Sequence, residues 1–341
     1  MTTTVNEIRS PLSFIKNMAF PTDDPRPTKN IEIDTILRGR HIAPLVKRGG
    51  AALMTTGHDE NMRIVQPAHI RIKRPMHPTE LLNKRRAGSV IHVGAAQVRQ
   101  AMRAYMAREL QNMSDDIDNT LEYLCAQALR GSISYESEDE VSFSVDFQRS
   151  ASHTVTLTGS DLWTDSASNP SENFLFASQL INDDSEGVAT DVILGANARA
   201  GFLANADVEK KLAFRPEFFQ NGQLTIRNTF DQNGALFLGE YSNGIRVWSY
   251  ARRLTLPDGT AFDLIRPDYA EFIWRSPMAE RVVYYGAIED MKAIGEGELL
   301  QARRFSKSWE EEDPSARMAL IESNPLPCMR RPDTTVSMKV V

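Results

Sequence analysis

Apolar side chains recur at Val98, Met102, Tyr105, Met106, Leu110, Met113, Ile117, Leu121, Leu124 and Ala128, and no proline or glycine interrupts the run from Gln97 to Arg130. Steps of three and four place these positions on one helical face, so residues 97–130 are expected to form a single amphipathic helix, about 50 Å long. Gly131 is placed to end it. Beyond the glycine, Val141, Phe143, Val145 and Phe147 alternate with polar residues, which predicts a half-buried strand. Residues 154–158 are expected to return that strand as a hairpin beneath the helix.

Upstream, the apolar positions thin out. Residues 1–42 carry scattered anchors, Leu12, Phe14, Ile15, Phe20, Ile31, Ile33 and Ile36, a pattern that suits an extended arm lying on another surface. Residues 43–80 divide into two extended limbs, 43–55 and 62–75, joined by a polar turn at 56–61. Pro67 within the second limb points to an edge strand, and a two-stranded hairpin of this kind needs something to lie on.

Residues 160–295 read as a mixed unit. A helix is expected at 171–181, a buried strand at 191–194, helical pieces across 196–213, and then a meander punctuated by Asn221-Gly222, Asn233-Gly234, Asn243-Gly244 and Asp258-Gly259. Ile245 to Tyr250 is its clearest strand. The final forty residues end in a strand of buried character and are expected to rejoin the helix-and-hairpin unit.

The distribution of charge is more informative than the overall composition. The 341 residues are 41% apolar with a formal net charge of −6, enough apolar content for a substantial core and no basic excess of the kind a dedicated nucleic-acid binder shows. From Arg38 to Arg86, however, eleven Lys and Arg stand against three acids, and from Glu109 to Asp146 ten acids stand against Arg130 alone. A strongly basic segment therefore precedes a strongly acidic one. Two isolated cysteines, Cys125 and Cys328, exclude a disulfide framework and fit a reducing compartment. Neither an export signal nor a membrane span is expected, because Met1 to Phe20 lacks a basic start with an apolar run and no stretch approaches the roughly 20 apolar residues a span needs.

No catalytic, metal or cofactor motif emerges. The six histidines never take metal-ligand spacing, His58-Asp59-Glu60 reads as a solvated turn, Gly295-Glu296-Gly297 lacks the rest of a dinucleotide loop, and Glu310 to Asp313 reads as a solvated acidic turn.

The order of features at the end of the chain is more specific. Arg303-Arg304-Phe305 leads to Lys307-Ser308-Trp309, an acidic turn, Asp313-Pro314 and Arg317. Met318-Ala319-Leu320-Ile321-Glu322-Ser323, Pro325-Leu326 and a last segment from Asp333 to Val340 follow. This series resembles the C-terminal portion of the E-type major capsid proteins of lambda-like tailed phages. Weaker similarity extends over nearly the whole length, through Ser10-Pro11-Leu12, Ile42-Ala43-Pro44-Leu45-Val46, Pro67 with Lys73, the long helix and Tyr285-Gly286-Ala287-Ile288.

The resemblance implies the Hong Kong 97-type α+β capsid fold. Residues 1–42 would be its N-terminal arm, 43–80 the extended loop, 96–158 with 300–341 the peripheral domain carrying the spine helix, and 160–299 the axial domain. It implies pentamers and hexamers closing into an icosahedral shell around double-stranded DNA, assembled in the host bacterial cytoplasm. A separate scaffolding protein, a portal protein, a trimeric decoration protein at threefold positions and weak, non-specific contact with packaged DNA are the expected partners. The two charge blocks would meet between subunits, with Arg63, Arg71, Lys73 and Arg74 of one loop facing Asp115, Asp116, Asp118, Glu122, Glu138, Asp139 and Glu140 of a neighbour. On the residues alone two other classes stay open: a compartment-shell or tail-tube protein, and an intracellular α+β enzyme whose site no motif marks.

Overall fold

A computed structural model of the chain describes residues 13–37, 59–76, 95–136, 142–208, 229–230, 234–241, 244–295, 302–313 and 316–341. Its axis is α2 (Ala95–Leu129), preceded by α1 (Phe14–Ala19) and four strands, β1 (Thr22–Pro25), β2 (Ile31–Leu37), β3 (Asp59–Val65) and β4 (Ile70–Met76). Then come β5 (Ser132–Glu136), β6 (Ser142–Asp146), β7 (Thr154–Thr156), α3 (Pro170–Ser185), β8 (Asp191–Leu194) and α4 (Ala196–Ala204). β9 (Thr229–Phe230), β10 (Leu236–Tyr241), β11 (Ile245–Ser249), β12 (Arg253–Thr255), β13 (Ala261–Asp263) and β14 (Tyr269–Ile273) follow. The chain closes with β15 (Arg281–Tyr285), α5 (Met291–Gly295), β16 (Phe305–Glu311), β17 (Ala316–Ser323), β18 (Pro325–Met329) and β19 (Thr335–Lys339).

The expected long helix is present and uninterrupted, and its two halves serve different cores. Met106, Leu110, Met113 and Ile117 pack on Met76, Ala319 and Ile321 of a three-stranded sheet ordered β16-β17-β4. Leu121, Leu124, Cys125 and Leu129 enter the main core with Phe14, Phe20, Tyr250, Val283 and Cys328, so the last two helical turns are buried all round. Gly131 ends the helix with φ at 95°, a conformation that glycine adopts without penalty, and its N–H bonds back to the Ala128 carbonyl. Two arginines take up carbonyls around this end: Arg149 donates to Leu129 O at 3.0 Å, and Arg130 donates to Leu264 O at 2.7 Å. Positive charge at a helix C-terminus is favourable, since the last carbonyls have no intrahelical donors.

A third core lies between a seven-stranded sheet, ordered β7-β19-β14-β8-β11-β10-β9, and helices α3 and α4. Phe174, Phe202 and Trp163 from the helical side meet Val192, Phe272, Val336 and Met338 from the strands. Central β8 is buried along its length and pairs parallel to β11 and antiparallel to β14, which accounts for its continuous apolar run. Gly244, between β10 and β11, and Asp258-Gly259, between β12 and β13, stand at hairpin connections as expected, with glycine φ values of 83° and 82°.

Pairing partners differ from the sequence reading in three places. β6 is returned not by residues 154–158 but by β5, which follows Gly131 directly. β7 instead runs parallel to β19 at the edge of the seven-stranded sheet. The limb 62–75 is not one strand: residues 66–69 break it, β3 pairs with β2, and β4 pairs with β17. Pro67 accordingly sits buried in that break, its ring packed against Gly286, and not within an edge strand. The limb 43–55 lies outside the described residues. Of the final forty residues, β16, β17 and β18 do return to the long helix, whereas β19 inserts between β7 and β14. In each case alternation marks a strand, but the partner is chosen by cores that bring distant segments together.

Candidate assembly surface

β4 explains how the basic segment meets the acidic one. With a side-chain period of two, Ile72 and Met76 face α2 while Arg71 and Lys73 face away. Arg74, on the helix side, spans two helical turns: Nη1 donates to Glu109 Oε2 at 3.2 Å and Nη2 donates to Asp116 Oδ2 at 2.6 Å. The planar guanidinium fork suits such a bridge better than an ammonium does. The complementarity anticipated between subunits is thus met, for Arg74, inside one chain.

On the opposite face of the sheet, Arg71 lies 3.5 Å from Glu322 and 3.7 Å from Asp290, and Lys307 also bonds to Asp290. The two carboxylates are buried and the cations partly exposed. Lys73 and Lys307 place their ammonium groups 5.4 Å and 5.6 Å from the centre of the Trp309 ring, within cation–π range. Of the four tryptophans, Trp163 is fully buried, and Trp248, Trp274 and Trp309 are partly so.

The acids of α2 divide by depth. Asp116 is half-exposed. Asp118 is buried against Arg304, which also bonds to Ser114. Burial raises the Asp118 carboxyl above its ordinary range against the opposing pull of Arg304, and burial followed by repulsion from Asp116 raises Asp115. Glu122, expected among the interface acids, is fully buried within the chain. Its two oxygens accept the backbone N–H groups of Ile15 and Lys16, the first turn of α1, where no side-chain cap exists. Burial raises its carboxyl, and those two bonds work in the opposite direction.

Arg63 donates to the Asp146 carbonyl at 3.0 Å, tying β3 to the end of β6. Glu138, Asp139 and Glu140 lie outside the described residues. Arg304, Asp290 and Glu322 escaped the sequence reading as members of this charged band, because they come from segments far apart in the chain. Burial of the segment Leu121 to Leu129, nearly all apolar, was the available signal that Glu122 needed an internal partner.

The long helix therefore packs on β18 of the three-stranded sheet β1-β15-β18 and on β17 and β4 of the sheet β16-β17-β4, with charge used to hold β4 and α1 to it. The model of the family described as phage major capsid protein E matches residues 1–340. The chain belongs to that family.

Solved structures agree on the fold of this phage capsid protein. The putative capsid protein of a prophage of E. coli CFT073 superposes with a TM-score of 0.70 at 18% identity, covering 99% of this chain and 95% of that one. A phage-related protein from Bordetella bronchiseptica RB50 gives 0.57 at 13% identity, with the same coverage of 99% and 95%. The capsid of Myoviridae phage XM1 gives 0.51 at 7% identity, covering 98% and 95%. No protein of curated function matches the chain. The fold is that of Hong Kong 97-type capsid proteins, and the capsid protein is a structural one. Among the described residues no cluster of three or more His, Cys, Asp or Glu is placed to hold a metal, and no helix is long and apolar enough to cross a membrane.

Proposed function

We propose that copies of this capsid protein form pentamers and hexamers that close into an icosahedral shell around double-stranded phage DNA. Family membership over residues 1–340 is the observation that carries this reading. Residues 96–158 with 300–341 would form the peripheral domain, 160–299 the axial domain gathered around the five- and sixfold centres, and 1–42 and 43–80 the arm and loop reaching over neighbours. The core of the seven-stranded sheet with α3 and α4 supports a separate axial unit, although β19 joins it. The main core, by contrast, draws together residues 14–33, 121–147 and 250–285 and so crosses these boundaries, with Phe14, Ile15 and Phe20 of the arm buried in their own chain.

The charged band would border subunit contacts. Arg71 and Arg74 keep 44% and 37% of their side chains exposed after their pairings within the chain, and Asp116 keeps 47%, so each can also meet a neighbour. A net charge of −6 fits weak, non-specific contact with packaged DNA. Scaffolding, portal and trimeric decoration proteins complete the proposed partner set, and assembly would take place in the host bacterial cytoplasm. Co-expression with the scaffold, followed by sedimentation and negative-stain imaging, tests the proposal: large closed particles are expected, and a small soluble oligomer would refute it.

A further inference from the structure

The Lys307 ammonium donates directly to Asp290 Oδ2, and little of this contact is open to water. Asp290 keeps 4% of its side chain exposed and Lys307 27%. Their near neighbours in sequence, Ile288, Ala293 and Phe305, form a small buried core of their own. With a side-chain period of two, Phe305, Lys307 and Trp309 share one face of β16, and Nζ of Lys307 lies 5.6 Å from the centre of the Trp309 ring. The amine and the carboxyl thus meet over an apolar floor.

A second acid completes the arrangement. Glu322 is fully buried, and its Oε1 accepts the Glu289 N–H at 3.0 Å, which seats it beside Asp290. Its Oε2 is buried without a hydrogen-bond donor. Arg71 serves both acids, with Nε 3.5 Å from Glu322 Oε2 and Nη2 3.7 Å from Asp290 Oδ2. A primary amine, an acyl carbon, a desolvated carboxylate and a guanidinium are the nucleophile, electrophile, proton relay and anion stabiliser that amide formation requires. Charges held away from water are costly, and joining the amine to the carboxyl removes one of each sign from the site.

We propose that Lys307 and Asp290 become joined by an isopeptide bond within one chain. The ion pair passes one proton from the ammonium to the Asp290 carboxylate. Nζ then attacks Cγ of the carboxylic acid and gives a second proton to Glu322, while Arg71 stabilises the negative charge of the tetrahedral intermediate. Collapse leaves the new C–N bond and breaks one C–O bond. Glu322 returns its proton to the departing hydroxyl, one water leaves, and the amide nitrogen keeps the third proton. No oxidant or further reactant is consumed. The bond ties β16 to the residue that enters α5, 17 positions away in sequence, and is independent of how copies of the chain assemble.

Intact-mass spectrometry of the denatured chain tests it. The purified natural chain should be lighter than its sequence requires by one water, and fragmentation of a protease digest should place the loss in a branched peptide that joins Asp290 to Lys307. Lys307→Met and Asp290→Ala should each restore the full mass. Glu322→Gln keeps the shape of the side chain but relays no proton, so the linked fraction should fall at least tenfold while circular dichroism stays that of the natural chain. Full mass in the natural chain would overturn the bond. So would a water loss that survives Lys307→Met, because cyclisation at Asp258-Gly259 also releases one water. Equal linkage in Glu322→Gln would overturn the relay.

Discussion

The Glu122 carboxylate accepts the backbone N–H of Ile15 at 2.7 Å from the far end of the sequence, and its second oxygen accepts that of Lys16 at 3.0 Å. A buried acid on α2 thereby caps α1 and fixes the start of the described chain to the middle of the plate. Glu122→Gln keeps the shape but turns an amide donor towards one of these N–H groups. It should cost about 1–3 kcal/mol of stability.

The pH dependence of that cost follows from burial. Burial raises the folded-state pKa of Glu122 above its unfolded value, so the native state holds the proton more tightly. The stability due to this group is fully present below the unfolded pKa and is lost as pH rises through the folded one. The advantage of the natural chain over Glu122→Gln should therefore widen as pH falls from neutral towards the ordinary Glu pKa of about 4.3. Urea unfolding of both proteins across that range checks the sign, and an advantage that shrinks on acidification would be contrary to it.

Arg74 offers a test of where the charge blocks meet. With both partners partly exposed, Arg74→Glu should lower the stability of the unassembled chain by about 1 kcal/mol, less in high salt. Adding Asp116→Arg should restore most of it. If the second reversal rescues assembly but not the stability of the unassembled chain, the pair acts between subunits instead.

Sequence reading succeeded where a pattern is carried by consecutive residues. α2 was legible because thirty-odd positions without proline or glycine repeat one face, and β19 because Val336, Met338 and Val340 alternate up to the end. It failed where the decisive fact is a partner. Ile31 and Ile33 announce an extended segment but not that β3 completes it, and Ile133 with Tyr135 is too short an alternation to claim β6. Arg71, Arg74 and the acids of α2 were recognisable as complementary, yet charge pattern alone does not distinguish a contact within one chain from one between two. The depth of Glu122 was the clearest loss, since its neighbours Leu121, Tyr123 and Leu124 are all buried.

Close backbone approaches rank three glycines. A Cβ on Gly195 would stand 2.1 Å from the Arg266 carbonyl oxygen and 2.5 Å from that of Pro267, both main-chain atoms of the loop that α4 abuts. On Gly286 it would meet the Pro67 ring at 2.6 Å, and on Gly201 nothing nearer than 3.4 Å. Thermal unfolding should order the alanine variants accordingly, with Gly195→Ala losing about 3 kcal/mol, Gly286→Ala about 1–2 kcal/mol and Gly201→Ala little. Equal effects at Gly195 and Gly201 would contradict the packing.

The long helix should tolerate no break. Leu121→Pro, at a buried position in α2, removes one hydrogen bond and clashes with the previous turn, costing about 3 kcal/mol or more. Circular dichroism and particle yield should fall together. Normal particles from soluble Leu121→Pro protein would show that the plate does not depend on a continuous helix.

A cryo-electron microscopy reconstruction of particles assembled with the scaffold decides whether this chain is a shell subunit built on α2. It should show closed icosahedral shells of pentamers and hexamers, with residues 95–129 as one continuous helix across each subunit. Stacked rings or tubes, or a shell in which that segment is broken, would contradict it.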